Sequence, residues 1–181
     1  MTVVAIDPGY AKSGDGCAVA EFEEARLARV LFARPLSYRP AIRRYVTVVV
    51  EEPQQDARSR SVPPAVLIQL SWQGAMLAGL YAGASSTICA VESVTPIQWK
   101  GSIPKPVQHG QLWDILTPPE RVILGGDATE KAIDAAKRKG ALDRWAKPGA
   151  AYYPRSFLTH NLLDAVALGA TYLGRLPWPS R

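Results

Sequence analysis

Thr47-Val48-Val49-Val50-Glu51-Glu52-Pro53 is the stretch on which the fold turns. Its unbroken β-branched run fits a strand covered on both faces, as in the middle of an α/β sheet, and it ends at two carboxylates and a proline. Upstream, Thr2 to Ile6 is a short β-branched run that stops at Asp7-Pro8-Gly9, a strand followed by a turn. Cys17 to Phe22 and Leu27 to Ala33 read as two further strands joined by the polar Glu23-Glu24-Ala25-Arg26, so an antiparallel meander is expected. Arg39 to Tyr45 reads as a basic amphipathic connector, a short helix.

Downstream, a polar loop from Gln54 to Ser61 carries Arg58 and Arg60. Pro63-Pro64 then opens a long helix to about Gly83, since proline is tolerated in a first turn. Thr87 to Val91 is a fifth strand, and Pro96 to Lys100 is a short segment before a loop containing Pro104 and Pro106. Thr117-Pro-Pro-Glu120 and Asp127-Ala-Thr-Glu130 have the pattern of capping boxes, the second helix running to about Trp145. A loop with Pro148, Gly149 and Pro154 leads to a last helix, Phe157 to Leu173. The expectation is one α/β domain over residues 1–181: a five-stranded mixed sheet, three antiparallel strands then two parallel, flanked by helices.

The 181 residues are 48% hydrophobic and 20% charged, an ordinary globular balance. The opening Met1-Thr-Val-Val-Ala-Ile has neither the basic segment nor the cleavage site of a signal peptide, and Cys17 and Cys89 form no metal-binding or disulfide pattern. A reducing, cytoplasmic setting is expected. Ala65 to Gly83 lacks charge, but Gln69, Ser71, Gln73 and the absence of a basic flank fit a buried helix better than a membrane span. On that helix Gly74, Ala78 and Ala82 form one row, and Ala75, Gly79 and Gly83 the next. Small residues so spaced admit a close backbone, either the chain's own sheet or a second copy in a homodimer.

Charge is lopsided. Residues 1–127 carry twelve Lys and Arg against twelve Asp and Glu, whereas residues 128–181 carry nine against four. The whole net charge of +5 therefore lies in the last third, and a basic face there suits a phosphate backbone or is simply a solvated helix face.

Three carboxylates stand out by position. Asp7 ends the first strand, Glu51 ends the most buried one, and Asp164 lies inside the apolar run Leu162-Leu163-Asp164-Ala165-Val166-Ala167-Leu168. A carboxylate on an apolar helix face is costly unless paired or bound to a cation. If the three converge they offer hard oxygen ligands suited to Mg²⁺ or Mn²⁺; each alone is equally a turn residue, a strand-end charge or an ion-paired helix residue.

Together these elements resemble the RuvC-type Holliday junction resolvases of the RNase H-like superfamily, over nearly the whole chain. Ile6-Asp7-Pro8-Gly9, four residues, then Gly14-Asp15-Gly16 is similar to that family's Asp-Pro-Gly-x4-Gly-x-Gly opening. Val50-Glu51-Glu52 resembles the strand bearing the catalytic glutamate, Trp72-Gln73-Gly74-Ala75 the central dimerisation helix, and Thr95-Pro96-Ile97-Gln98-Trp99-Lys100 a segment giving lysines to DNA. The final helix resembles the family's acidic-or-His, two residues, Asp-Ala pattern, with Asp164 as the last carboxylate. Asn161 falls at the fourth-ligand position, and His160, four before Asp164 and on the same face, is the alternative to it.

The resemblance implies a crossover junction endonuclease that hydrolyses phosphodiesters with two Mg²⁺ ions, Mn²⁺ substituting, held by Asp7, Glu51, Asp164 and Asn161 or His160. It implies a homodimer on four-way DNA, with Lys100 at the scissile phosphate. Lys12, Arg58, Arg60, Lys105, Lys131, Lys137, Arg138 and Lys139 are the expected DNA-binding cations, through charge on the phosphates. The family carries an aromatic shortly after the glutamate that stacks at the crossover; here Pro53-Gln54-Gln55-Asp56 has none, which points to looser branched-DNA specificity, as in phage relatives. Two other readings fit the same elements: an RNase H-like nuclease acting on RNA or a hybrid, and a non-catalytic nucleic-acid-binding relative, favoured by Asn161. An actin-like kinase shares the first-strand Asp-x-Gly but needs two such domains.

Overall fold

The computed structural model describes residues 1–8, 16–40, 45–53, 63–85, 89–142, 153 and 159–178. Five strands form one mixed sheet: β1 (Thr2–Asp7), β2 (Cys17–Glu23), β3 (Arg26–Ala33), β4 (Val46–Glu51) and β5 (Cys89–Val94), in the order β3-β2-β1-β4-β5. β1, β2 and β3 are antiparallel neighbours, while β4 and β5 run parallel to β1. This is the sheet expected from the sequence, and the valine run lies next to β1 at its centre.

Alternation along the central strands sorts the core onto two faces. Val3 and Ala5 of β1, Ala18, Ala20 and Phe22 of β2 and Val49 of β4 pack on one side with α6 (Thr159–Tyr172). Val4, Ile6, Cys17, Val19 and Val48 pack on the other with α1 (Pro64–Ala84). Asp7 and Glu51 have the parity of Ala5 and Val49, so the end of the sheet turns both carboxylates toward α6. Close approach there is a matter of size: a side chain at Gly169 would meet the buried Phe22 ring at 2.3 Å.

α1 begins at Pro64 as the proline pair foretold, and by length and composition it matches a membrane span. Its two rows of small residues part company. Gly74 and Ala78 are buried on the sheet with Leu77 and Tyr81, and a Cβ at Gly74 would lie 2.9 Å from Val50. Ala75, Gly79 and Gly83 face outward with Ile68 and Trp72, and a Cβ at Gly79 or Gly83 would meet nothing within 4 Å. The expectation of a buried helix holds for one face only.

The stretch read as a loop around Pro104 and Pro106 is instead helical. After α2 (Pro96–Trp99), α3 spans Lys105–Ile115, with Pro104 at its N-cap and Pro106 in its first turn. The prolines that looked like loop markers are helix starters, because the first-turn N–H groups need no helical partner. α4 (Pro118–Ile123) has the expected capping box of Thr117 and Glu120. α5 is described over Asp127–Leu142, with Asp127 in its first turn rather than at a cap. The Arg39–Tyr45 connector, the Gln54–Ser61 loop and the ends expected near Trp145 and Phe157 fall partly or wholly outside the described residues.

One ion pair ties the periphery to the sheet. Arg175 donates from Nη1 and Nη2 to Oε1 and Oε2 of the buried Glu120, at 2.6 and 2.9 Å. Glu120 also accepts from the Leu27 amide and from the Thr117 amide and hydroxyl, and Arg175 reaches the Ala25 carbonyl at 3.0 Å. The clamp holds a hairpin turn in which Glu24 and Ala25, neither of them glycine, both have positive φ of 51° and 64°. Burial alone would raise the Glu120 pKa, but Arg175 and the amide donors hold it down at about 2. Its stabilisation is therefore full above the ordinary glutamate value of 4.5 and is lost as pH falls toward about 2. Glu120→Gln should cost about 3 kcal/mol in urea unfolding at pH 7, since it removes the buried carboxylate that balances the partly buried Arg175. The same variant should flatten the loss of stability between those two pH values.

Candidate active site

At the C-terminal end of β1 and β4, parallel pairing sets Ile6 beside Val50, so Asp7 and Glu51 follow on adjacent strands. α6 crosses this end with Asp164, 4% exposed, aimed into the same region. The three carboxylates feel one another. Burial first, then the charges of Glu51 and Asp164, push the Asp7 pKa well above its ordinary value. Burial and Asp164 also raise Glu51, against the pull of Lys100 and a hydrogen bond from Trp99.

Glu51 and Asp164 each have a built partner. Trp99 Nε1 donates to Glu51 Oε2 at 2.8 Å, and Lys100 Nζ lies 3.7 Å from the same oxygen and 4.9 Å above the Trp99 ring. Lys105 Nζ is ion-paired with Asp164 Oδ2. His109, one turn further along α3 and fully buried, contacts Asp164 Oδ1 through Nε2 at 3.0 Å and the Tyr153 hydroxyl through Nδ1 at 2.8 Å.

Burial pulls His109 below its ordinary pKa, although Asp164 pulls the other way, so the ring is neutral with one N–H. An ionised Asp164 only accepts; the proton therefore sits on Nε2, and Nδ1 accepts from Tyr153, whose hydroxyl burial keeps protonated. Burial would raise Asp164, but Lys105 and His109 hold it below the usual carboxylate range. Burial would lower Lys105, but Asp164, Asp7 and Glu51 keep it charged.

Among the described residues, the three carboxylates share two ammonium groups, those of Lys100 and Lys105. Among the described residues, no three His, Cys, Asp or Glu side chains gather closely enough to hold a metal ion. Lys105 fills the place beside Asp164 that a cation would take. The donor set nevertheless fits a hard divalent ion in its chemistry: carboxylate oxygens in electrostatic contact, buried at Asp164 and partly buried at Asp7 and Glu51.

The other expected site residues are dispersed. His160 stacks on Tyr153, ring centroids 5.6 Å apart and 5° from parallel, and Asn161 is half-buried beside it. Lys131, Arg138 and Lys139 are exposed on α5, while Lys137 lies across Gly110 of α3, 1.9 Å from where a Cβ would stand. Lys12, Arg58, Arg60 and Lys147 lie outside the described residues. His109, Tyr153 and Trp99 were not anticipated. Reading Pro104-Lys105-Pro106 as a helix start would have put Lys105 and His109 one turn apart on one face.

Comparison with protein-family models, with curated proteins and with solved structures gives no match. The β3-β2-β1-β4-β5 mixed sheet with flanking helices is consistent with the broad RNase H-like superfamily fold.

If Lys105 compensates Asp164, the two side chains must be energetically coupled. Lys105→Met should cost about 2 kcal/mol in denaturant unfolding, below the ~3–5 kcal/mol of a fully buried pair because a third of Lys105 is open to solvent. Asp164→Asn in the Lys105→Met background should cost much less than in the wild type. Additive losses would show that the pair is not coupled.

Proposed function

We propose that this protein is a divalent-metal-dependent endonuclease that cuts branched DNA in the manner of a RuvC-like resolvase, acting as a homodimer in the cytoplasm. The observation that carries the reading is the electrostatic cluster of Asp7, Glu51 and Asp164 at one sheet end, faced by two ammonium groups among the described residues. Asp7, Glu51 and Asp164 would hold Mg²⁺ or Mn²⁺, with Asn161 or His160 as the residue completing the shell. Such ions, when bound, neutralise a phosphodiester and lower the pKa of an attacking water.

The chain's own residues have distinct tasks in this scheme. Trp99 fixes the rotamer of Glu51 through its indole N–H. His109, itself set by Tyr153, orients Asp164 through a neutral N–H. Lys105, ion-paired with Asp164, would turn to the phosphate if a divalent ion took its place on that carboxylate. Lys100 is placed to do the same from Glu51. The exposed Lys131, Arg138 and Lys139 of α5, with Lys12, Arg58 and Arg60, would hold the strands by charge, so binding should weaken steeply with salt.

The test is a labelled four-way junction beside matched linear duplex and RNA–DNA hybrid, with Mg²⁺ or chelator. Paired nicks in the junction, absent with chelator and lost in Asp7→Asn and Asp164→Asn, are expected. Equal cutting of duplex or hybrid would move the assignment to a general RNase H-like nuclease. A second reading, a non-catalytic nucleic-acid-binding relative, is favoured by the Lys105 ammonium already seated on Asp164. Tight junction binding without cutting in Mg²⁺ or Mn²⁺, and without any rise in melting temperature on adding either ion, would establish that one.

The homodimer reading is supported by the outward row Ala75, Gly79 and Gly83, flanked by exposed Ile68 and Trp72. Gly79→Leu meets no neighbour in the monomer, so its unfolding midpoint should stay close to wild type. Sedimentation should show the wild type as a dimer and Gly79→Leu as a monomer. An unchanged dimer would put the seam elsewhere.

A further inference from the structure

Beside Trp99 lies an open cleft of about 510 Å³, between the α2–α3 connection and the residues that follow α6. Its apolar walls include Trp99, Leu176 and Trp178, and its polar lining includes Gln108, Gln111 and Thr171. Two features set it apart from an ordinary surface crease. Gln108 is 3% exposed, and its Oε1 is buried with no hydrogen-bond partner among the described residues. A buried acceptor left unmade costs about 1–3 kcal/mol, so this one is an uncompensated cost until a donor enters. Trp178, by contrast, lines the cleft while 47% exposed.

We infer that this cleft receives a nucleobase, stacked on Trp178 and hydrogen-bonded at its edge by Gln108. The chemistry is specific to that class. An aromatic plane takes any base face, and a carboxamide that lacks a donor partner selects a planar ligand carrying N–H groups on its rim. A volume of about 510 Å³ accommodates a base with its sugar, within the usual range for ligand pockets. Location supplies the third argument. Trp99 is a common wall: its N–H holds Glu51, Lys100 lies over its ring, and the cleft is lined by the same residue. A base in the cleft is therefore one indole away from the carboxylate cluster, with an ammonium group beside it for a phosphate. The strand origin of that base rests on the nuclease reading above. In that setting an unpaired base next to the cut is drawn out of the stack by Trp178, which supplies from the end of the chain the aromatic missing after Glu51.

The experiment pairs residue and base. Anisotropy of a labelled four-way junction is measured with Ca²⁺ in place of Mg²⁺, using intact junctions and a series each with one abasic site near the crossover. Trp178→Ala and Gln108→Leu are compared with wild type. Each variant should bind the intact junction about tenfold more weakly, the loss of one base–aromatic or base–amide contact, and should lose nothing further on one particular abasic junction. Gln108→Leu should melt at or above the wild-type temperature, because it removes an unsatisfied acceptor; a merely structural role would lower it. In a second arm, dAMP, dGMP, dCMP and dTMP are titrated while the Trp178 indole N–H resonance is followed. Shifts at micromolar nucleotide, with no coupling to any abasic position, assign the cleft to free nucleotides rather than to a strand. Unchanged junction affinity in both variants, with no nucleotide shift, overturns the proposal even if the junction is still cut. Nucleotide binding by a protein that cuts nothing would sink the nuclease reading and leave the cleft.

Discussion

A carboxylate buried on an apolar helix is the constraint around which this molecule is arranged. Asp164 is surrounded by Leu163, Ala165, Val166, Ala167 and Leu168, all buried, and water cannot solvate it. An isolated charge there would protonate or unfold the helix. It is kept ionised by Lys105 and His109, one turn apart on α3. α3 must therefore sit against α6, and α5 is held on α3 in turn, with Lys137 lying over Gly110. Satisfying one side chain fixes the order of three helices on one face of the sheet.

The strands were readable because their physics is local. A β-branched run, a stop at Asp-Pro-Gly and a polar two-residue turn each declare themselves within a few residues, and the mixed order of the sheet follows from their sequence. The carboxylates at the strand ends were readable for the same reason: parity and strand length set their face. α3 was not, because proline carries opposite meanings at a helix start and in a loop, and Pro104 and Pro106 straddle that choice. With α3 went His109. A lone histidine in a supposed loop has no claim on a carboxylate 55 residues away, and only packing makes the 3.0 Å contact. His160, nearer to Asp164 in sequence, was the natural candidate, yet its ring lies on Tyr153.

α1 shows a limit of a different kind. Its composition is apolar all round, so periodicity cannot say which face is buried. The sheet takes Gly74, Leu77, Ala78 and Tyr81, where Tyr81 also donates to Glu21 at 2.7 Å inside a network closed by Arg29 and Tyr38. The opposite face keeps the same small-residue spacing, and among the described residues none comes within 4 Å of a Cβ built at Gly79 or Gly83. A sequence under pressure only to bury α1 on its own sheet has no use for Trp72 and Ile68 outside, half or more exposed.

The charge count joins these threads. Two lysines balance two of three carboxylates, and the third, Asp7, is the one whose proton is hardest to remove. A site meant only to stabilise the fold has little use for an acid at position 7, since desolvating a carboxylate beside two others is costly, even though its charge helps keep Lys105 protonated. Keeping an acid there makes sense if a further cation is part of the working state. The lysines are then not rivals of that cation but its placeholders, and both are mobile chains that can move from carboxylate to phosphate once the ion is present. The same economy reads into Gln108 beyond Trp99. Trp99 holds the carboxylate cluster through Glu51 and also lines the cleft where Gln108 lacks a donor, so a cation at the one and a donor at the other would meet at the same indole.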